Sequence, residues 1–206
     1  MTMRGRMMRL LAVFIMVTLP LAANAAPIPP LQALENLRQG FAEMRDFTAE
    51  ITQEKQLAVM KRKLVSSGSV RFRKPDLFFM ELKPPYASRM VLRDRAIELY
   101  FPKEKNRQQI ALPAEEGLSR WLDLLAKPLT AVPEGVEAKA DLTGETQTLT
   151  LSPRKTGQVR AITLTSGSDG RLRKLVIEER NGNRTAITFH RLKANVGLGE
   201  KDFRLE

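Results

Sequence analysis

His190 is the sole histidine of the chain, and there is no cysteine. Without thiols there can be no thiolate nucleophile, disulfide, iron–sulfur cluster or Cys-based zinc site. One imidazole makes no multi-histidine metal centre, and a Ser-His-Asp triad would need His190 as its base. His190 follows Phe189 in an alternating run, which places it opposite Phe189 and towards solvent. No G-x-S-x-G turn exists to display a nucleophile. The adjacent acids Glu115-Glu116 and Glu178-Glu179 diverge in helix or strand, so neither makes a glycosidase-type carboxylate pair. Glycine-rich phosphate cradles are absent. The residues argue against an enzyme, a metal site and a bound cofactor.

The apolar residues carry more. Leu77-Phe78-Phe79-Met80-Glu81-Leu82 is apolar on both faces over most of its length. Two readings follow. The strand is buried on both faces, one under each of two helices, or one face lines a cavity for an aliphatic ligand. Lys61-Arg62-Lys63, with Arg71, Arg73 and Lys74 nearby, is either the mouth of such a pocket or a solvated hairpin tip.

These residues sit on a mostly β framework. Leu31, Leu34, Leu37, Phe41 and Met44 make one stripe and predict a helix from Leu31 to about Arg45. At Phe47 the period becomes two, with Phe47, Ala49, Ile51 and Gln53 on one face. Short strands are predicted over 68–73, 77–82, 89–93, 96–101, 108–112, 136–142, 146–152, 160–165, 171–180 and 184–192. Ser168-Asp169-Gly170 and Asn181-Gly182-Asn183 are strong hairpin turns, so antiparallel pairing is expected. A second helix is predicted over 115–127, with Leu118, Trp121, Leu122 and Leu125 on one side. A sheet with one very apolar face and two helices must curl, stack or enclose something.

The chain has 206 residues, which suits one domain once the N-terminus is set aside. Arg4, Arg6 and Arg9 precede the apolar run Leu10–Ala22, and Ala23-Asn24-Ala25 supplies a small-residue cleavage site. Residues 1–25 thus read as a secretory signal peptide and 26–206 as a single domain. Of the formal net charge of +11, +8 remains after those three arginines are removed. Export makes nucleic acid an unsuitable partner for that charge and favours anionic lipid or an acidic protein surface.

Four stretches resemble the LolA family of periplasmic carriers of outer-membrane lipoproteins. The leading amphipathic helix ends in an aromatic. It is followed by Phe47-Thr48-Ala49-Glu50-Ile51-Thr52-Gln53, similar to the family's F-x-A-x-F-x-Q strand. Ser67-Gly68 to Phe72, then Arg73-Lys74-Pro75-Asp76-Leu77-Phe78, resembles its G-x-[apolar]…R-P-x-L-F segment. Val91-Leu92-Arg93-Asp94 leading to Leu99-Tyr100-Phe101-Pro102 resembles its V-S-D-G…L-W-x-Y-x-P hairpin.

The resemblance implies a mainly β, α+β fold: a strongly curved antiparallel sheet forming an incomplete barrel, closed by amphipathic lid helices. It implies a monomeric periplasmic carrier, with neither cofactor nor metal, for an acylated lipoprotein or related lipid. The cargo would pass from an inner-membrane donor complex to an outer-membrane acceptor. The alternative is a periplasmic lipid- or lipoprotein-sensing regulator of the same fold. The acyl cavity is then expected to be lined by Phe47, Ile51, Val70, Phe72, Phe78, Met80, Leu82, Leu99, Trp121, Leu122 and Leu125. In the family an Arg before the Pro ties lid to sheet through lid carbonyls; here Lys74 holds that place, with Arg73 beside it. A lysine has no planar fork and makes a weaker latch. The family's following Trp is Met80, and the Gly of its Asp-Gly turn is Arg95.

Overall fold

A computed structural model describes residues 25–60, 62–112, 127–154 and 157–205. Residues 1–24 of the expected signal peptide, Lys61, and residues 115–126 of the expected second helix, with Leu118, Trp121, Leu122 and Leu125, lie outside them. Twelve strands form a single antiparallel sheet: β1 (Ala26–Ile28), β2 (Asp46–Gln56), β3 (Lys63–Arg73), β4 (Leu77–Leu82), β5 (Ser88–Arg93), β6 (Ala96–Phe101), β7 (Asn106–Ala111), β8 (Val136–Thr143), β9 (Thr146–Pro153), β10 (Val159–Gly167), β11 (Leu172–Glu179) and β12 (Arg184–Ala194). Helix α1 (Pro30–Ala42) enters between β1 and β2.

The spatial order is β1-β8-β9-β10-β11-β12-β2-β3-β4-β5-β6-β7. Two hairpin-linked meanders, β2–β7 and β8–β12, therefore join along one seam, where β12 pairs with β2. The sheet is not closed into a barrel, since β1 and β7 are its free edges.

Side chains of directly paired residues share a face, so the register traces one apolar inner face across the sheet. It runs Ile28, Ala140, Leu149, Leu164, Leu175 and Ile187 through β12. It continues as Ala49, Val70, Met80, Met90 and Leu99 from β2 to β6. Helix α1 lies on this face. Ala33, Leu34 and Leu37 pack on Ala140 and Leu149, while Phe41 reaches Phe47 with ring centroids 6.5 Å apart. Thirteen residues give a helix of roughly 20 Å, about the four strand spacings that separate β9 from β2. Gly40 allows this path: a Cβ there would stand 2.4 Å from the carbonyl oxygen of Gly170 in the β10–β11 turn.

The helix stops three residues short of the expected Arg45. Its last carbonyls are taken up by a side chain from the sheet, and Met44 drops into the core beside Phe47. Strand β3 starts five residues before the expected Gly68, because β2 pairs with it along its whole length.

The outer face of β4 corrects another expectation. Among the described residues, Leu77 and Phe79 are covered by the C-terminal segment. Phe203, in a 3₁₀ turn at Glu200–Phe203, and Leu205 pack on Leu77, Phe79 and Val91. Arginines strap this segment down. Arg71 donates to the carbonyl of Asp202 at 2.6 Å and Arg89 to that of Leu205 at 3.1 Å. Arg73 and Arg93 both pair with the Glu200 carboxylate, which holds that group below its usual range, Arg73 contributing most.

Candidate functional site

Eight of the expected cavity residues are described, and all eight lie on the inner face. They divide by burial. Phe47, Ile51, Val70, Phe72 and Leu82 are buried, with Phe47 and Phe72 ring to ring at 5.2 Å. These five are interior packing. Phe78, Met80 and Leu99 are half-buried, and so are Met90, Leu92, Ile97 and Phe101 on the neighbouring strands. Register puts Phe78 beside Leu92 and Leu92 beside Ile97; Met80 pairs with Met90, and Met90 with Leu99.

The result is a continuous aliphatic and aromatic surface on β4–β6, abutting the core and lying beyond the strands that α1 packs on. Such a surface binds by removing alkyl groups from water, at ~0.8 kcal/mol per CH₂. Two methionines at its centre, Met80 and Met90, give it flexible side chains that adapt in shape. Met90, Leu92, Ile97 and Phe101, on the same surface, were not foreseen. The alternation of β5 and β6 held the signal, once their pairing to Phe78 and Met80 was known.

Lys74 and Arg73 part company. The Lys74 ammonium donates to the carbonyl of Phe41 at 2.7 Å and that of Ala42 at 3.2 Å. These are orphan C-terminal acceptors of α1, so Lys74 caps the helix and ties it to the β3–β4 corner. Burial lowers its pKa from the ordinary lysine value. Arg73 points to the outer face, over the Phe203 ring and onto Glu200.

The other end of α1 is fixed by amides. Gln147, buried on β9, donates to the carbonyl of Ala33 at 2.8 Å and accepts from Asn36 at 3.0 Å. Glu35 accepts from both Nε and Nη2 of Arg38, from the Gln39 amide and from the backbone N–H of Leu129. The Arg38 contact chiefly holds its carboxyl down to about 2, against the opposing effect of burial.

His190 is exposed, with Nε2 3.1 Å from the Thr52 hydroxyl. No cluster of acids and histidine that could hold a metal occurs among the described residues. Residues 42–206 match the family model described as outer membrane lipoprotein carrier protein LolA.

The chain belongs to the LolA family. That family is one of carriers, and it gives the apolar inner face a lipoprotein-binding context. No curated protein matches this LolA-family chain. Among solved structures it is similar to a DUF1329 family protein from Desulfovibrio piger, at 15% identity and TM-score 0.49, over 87% of this chain and 100% of the other. It is similar also to a LolA superfamily protein from Nitrosomonas europaea, at 11% identity and TM-score 0.45, over 86% and 98%. In the Pseudomonas aeruginosa MucA/MucB complex the match has 11% identity and TM-score 0.44, over 86% of this chain and 61% of that one. No helix among the described residues is long and apolar enough to cross a membrane.

Proposed function

We propose that the protein is a periplasmic carrier that shields the acyl chains of a lipoprotein, or of a related lipid, and moves them towards the outer membrane. The observation that carries this reading is the half-buried surface of Phe78, Met80, Met90, Leu92, Ile97 and Leu99 on the inner face. A globular domain gains nothing from leaving six such side chains half-covered beside a closed core, unless something else completes the burial. Acyl chains do so without directional bonds, so they can also leave without an energy source. Cleavage before Ala26 would release the chain into the periplasm, with an inner-membrane donor and an outer-membrane acceptor at the two ends of the route.

Lys74 acts as the latch in this scheme. It is a pair of hydrogen bonds from sheet to helix end, strong enough to bias α1 shut and weak enough to yield when cargo wedges beneath Phe41. The segment with Trp121, Leu122 and Leu125 is assigned the remaining cover, and Trp121 emission is its reporter.

Native mass spectrometry of the protein purified from its own periplasm tests the reading. A bound acylated species is expected, lost in Phe78→Glu with the β-sheet circular dichroism spectrum retained. An empty wild type that also fails to take up a triacylated peptide would overturn it. Uptake of cargo without delivery to acceptor membranes would favour the sensing role.

A further inference from the structure

At the end of the sheet away from Lys74, the β2–β3 hairpin carries a feature that acyl binding does not use. Strands β2 and β3 have 11 residues each, and β4 has 6. Pairing of β3 with β4 ends at Gly68 and Leu82, followed only by the Lys83 N–H to the Ser67 carbonyl. The hairpin thus outreaches β4 by residues 63–66, roughly 13 Å at ~3.3 Å per residue.

Its tip is a turn closed by the Met60 N–H on the Leu57 carbonyl at 2.9 Å, with Ala58 and Val59 at the centre. Turn centres favour Gly, Pro, Asn and Asp, for reasons of backbone geometry and solvation. Here Val59 stands 93% exposed. The turn is nonetheless built. The Ala58 N–H donates to the Asn183 side chain at 3.0 Å, and Gly182 lies so close that a Cβ on it would be 3.2 Å from that of Ala58.

Around the apolar tip the charge is positive. Lys55, Arg62 and Lys63 are exposed, and the sequence has no acid from Lys55 to Pro75. Glu54 takes Lys63 at 3.3 Å and Glu178 takes Arg184 at 3.8 Å. Lys55 and Arg62 keep no ion-pair partner among the described residues.

We infer that the β2–β3 tip docks on an anionic lipid bilayer, with Val59 entering the headgroup–acyl boundary and Arg62 and Lys55 meeting lipid phosphates. One turn offers far less than the ~800 Å² per partner of a stable protein interface. A bilayer asks only for an aliphatic wedge and nearby cations. The inference stands apart from the carrier reading, because the tip belongs to neither α1 nor the β4–β6 surface.

Flotation tests it, using the protein in the form that accumulates in cells. Vesicles of phosphatidylethanolamine with phosphatidylglycerol are set against vesicles of phosphatidylcholine alone. Binding is expected to the acidic vesicles only, weakening with added salt. Arg62→Gln should lose about fivefold, the worth of one surface cation near anionic lipid. Val59→Asp should lose more, with unfolding unchanged because the side chain touches so little. The chain lacks cysteine, so Val59→Cys takes a single bimane label, whose emission should move to the blue on acidic vesicles. The same label at Glu145→Cys, in the exposed β8–β9 turn, should not move. Wild type that does not float, or Val59→Asp that floats like wild type, overturns the inference. So does loss of flotation in Phe78→Glu but not in Val59→Asp, which would mean that the inner face extracts a lipid. Crosslinking from position 59 to one envelope protein, with vesicles ignored, would give the tip to a protein partner and overturn it too.

Discussion

Phe72 and Phe78 are neighbours across β3 and β4, yet substitutions at the two should read out differently. Phe72 is 4% exposed inside the main cluster, so Phe72→Ala should cost ~3–5 kcal/mol by urea unfolding. Phe78 is half-buried at the margin of that cluster. Phe78→Glu should remove most hydrophobic-dye affinity with a smaller loss of stability, and unchanged dye affinity would remove this surface from consideration. Lys74→Leu takes the donor from two helix-end carbonyls and should speed cargo release more than it lowers Tm. Lys74→Arg restores a fork and should slow release; equal release from all three proteins would end the latch assignment. Glu35 supplies a pH signature. Its folded pKa, about 2, lies below the unfolded value of 4.5, so its stabilisation is full above 4.5 and drains away as pH falls towards 2. Glu200 acts in the same direction. Urea midpoints measured from neutral to acidic pH should fall through that window, and less steeply in Glu35→Gln.

Among the elements, the C-terminal strap makes the largest claim on stability that periodicity could not show. Phe203→Ala should cost ~3–5 kcal/mol, because Phe203, on the strap, is 1% exposed against β4 and β5. Cargo binding on the opposite face of β4 should survive wherever the fold does. The alternation of Phe47 to Gln53 made β2 legible, and the double-sided apolarity of Leu77–Leu82 showed that β4 needed two covers. What covers the outer side was not legible, since Phe203 and Leu205 follow the last strand with no repeat to mark them. Helix α1 was legible from its stripe, but its end was not. A lysine 32 residues beyond Ala42 decides where the carbonyls find donors. The candidate site divided likewise: alternation put its described residues on one face, whereas the split between closed core and half-open surface depends on which strands α1 crosses. Gly40→Ala tests that crossing. Its methyl would meet the Gly170 backbone, so it should displace the helix and cost ~1–3 kcal/mol, well beyond the usual gain from a helical alanine.

At the scale of the whole molecule, an open sheet with one apolar face lets a helix seal one half and leaves the other half adaptable. Core clusters under α1 and under the strap hold the frame on both sides of the sheet. The seam between β2 and β12 has a further consequence, for the order of events in time. Asp46 and its strand wait for partners more than a hundred residues later, as in Thr52 with Thr188 and Phe47 with Ala194, and β1 likewise waits more than a hundred residues for β8. The first meander can zip locally, but its inner edge has no neighbour until the final strand is delivered. Folding is therefore held back by topology, since long loops must close before those contacts return any energy. A chain made N-terminus first therefore stays uncommitted for most of its synthesis, and takes its native shape only as β12 arrives.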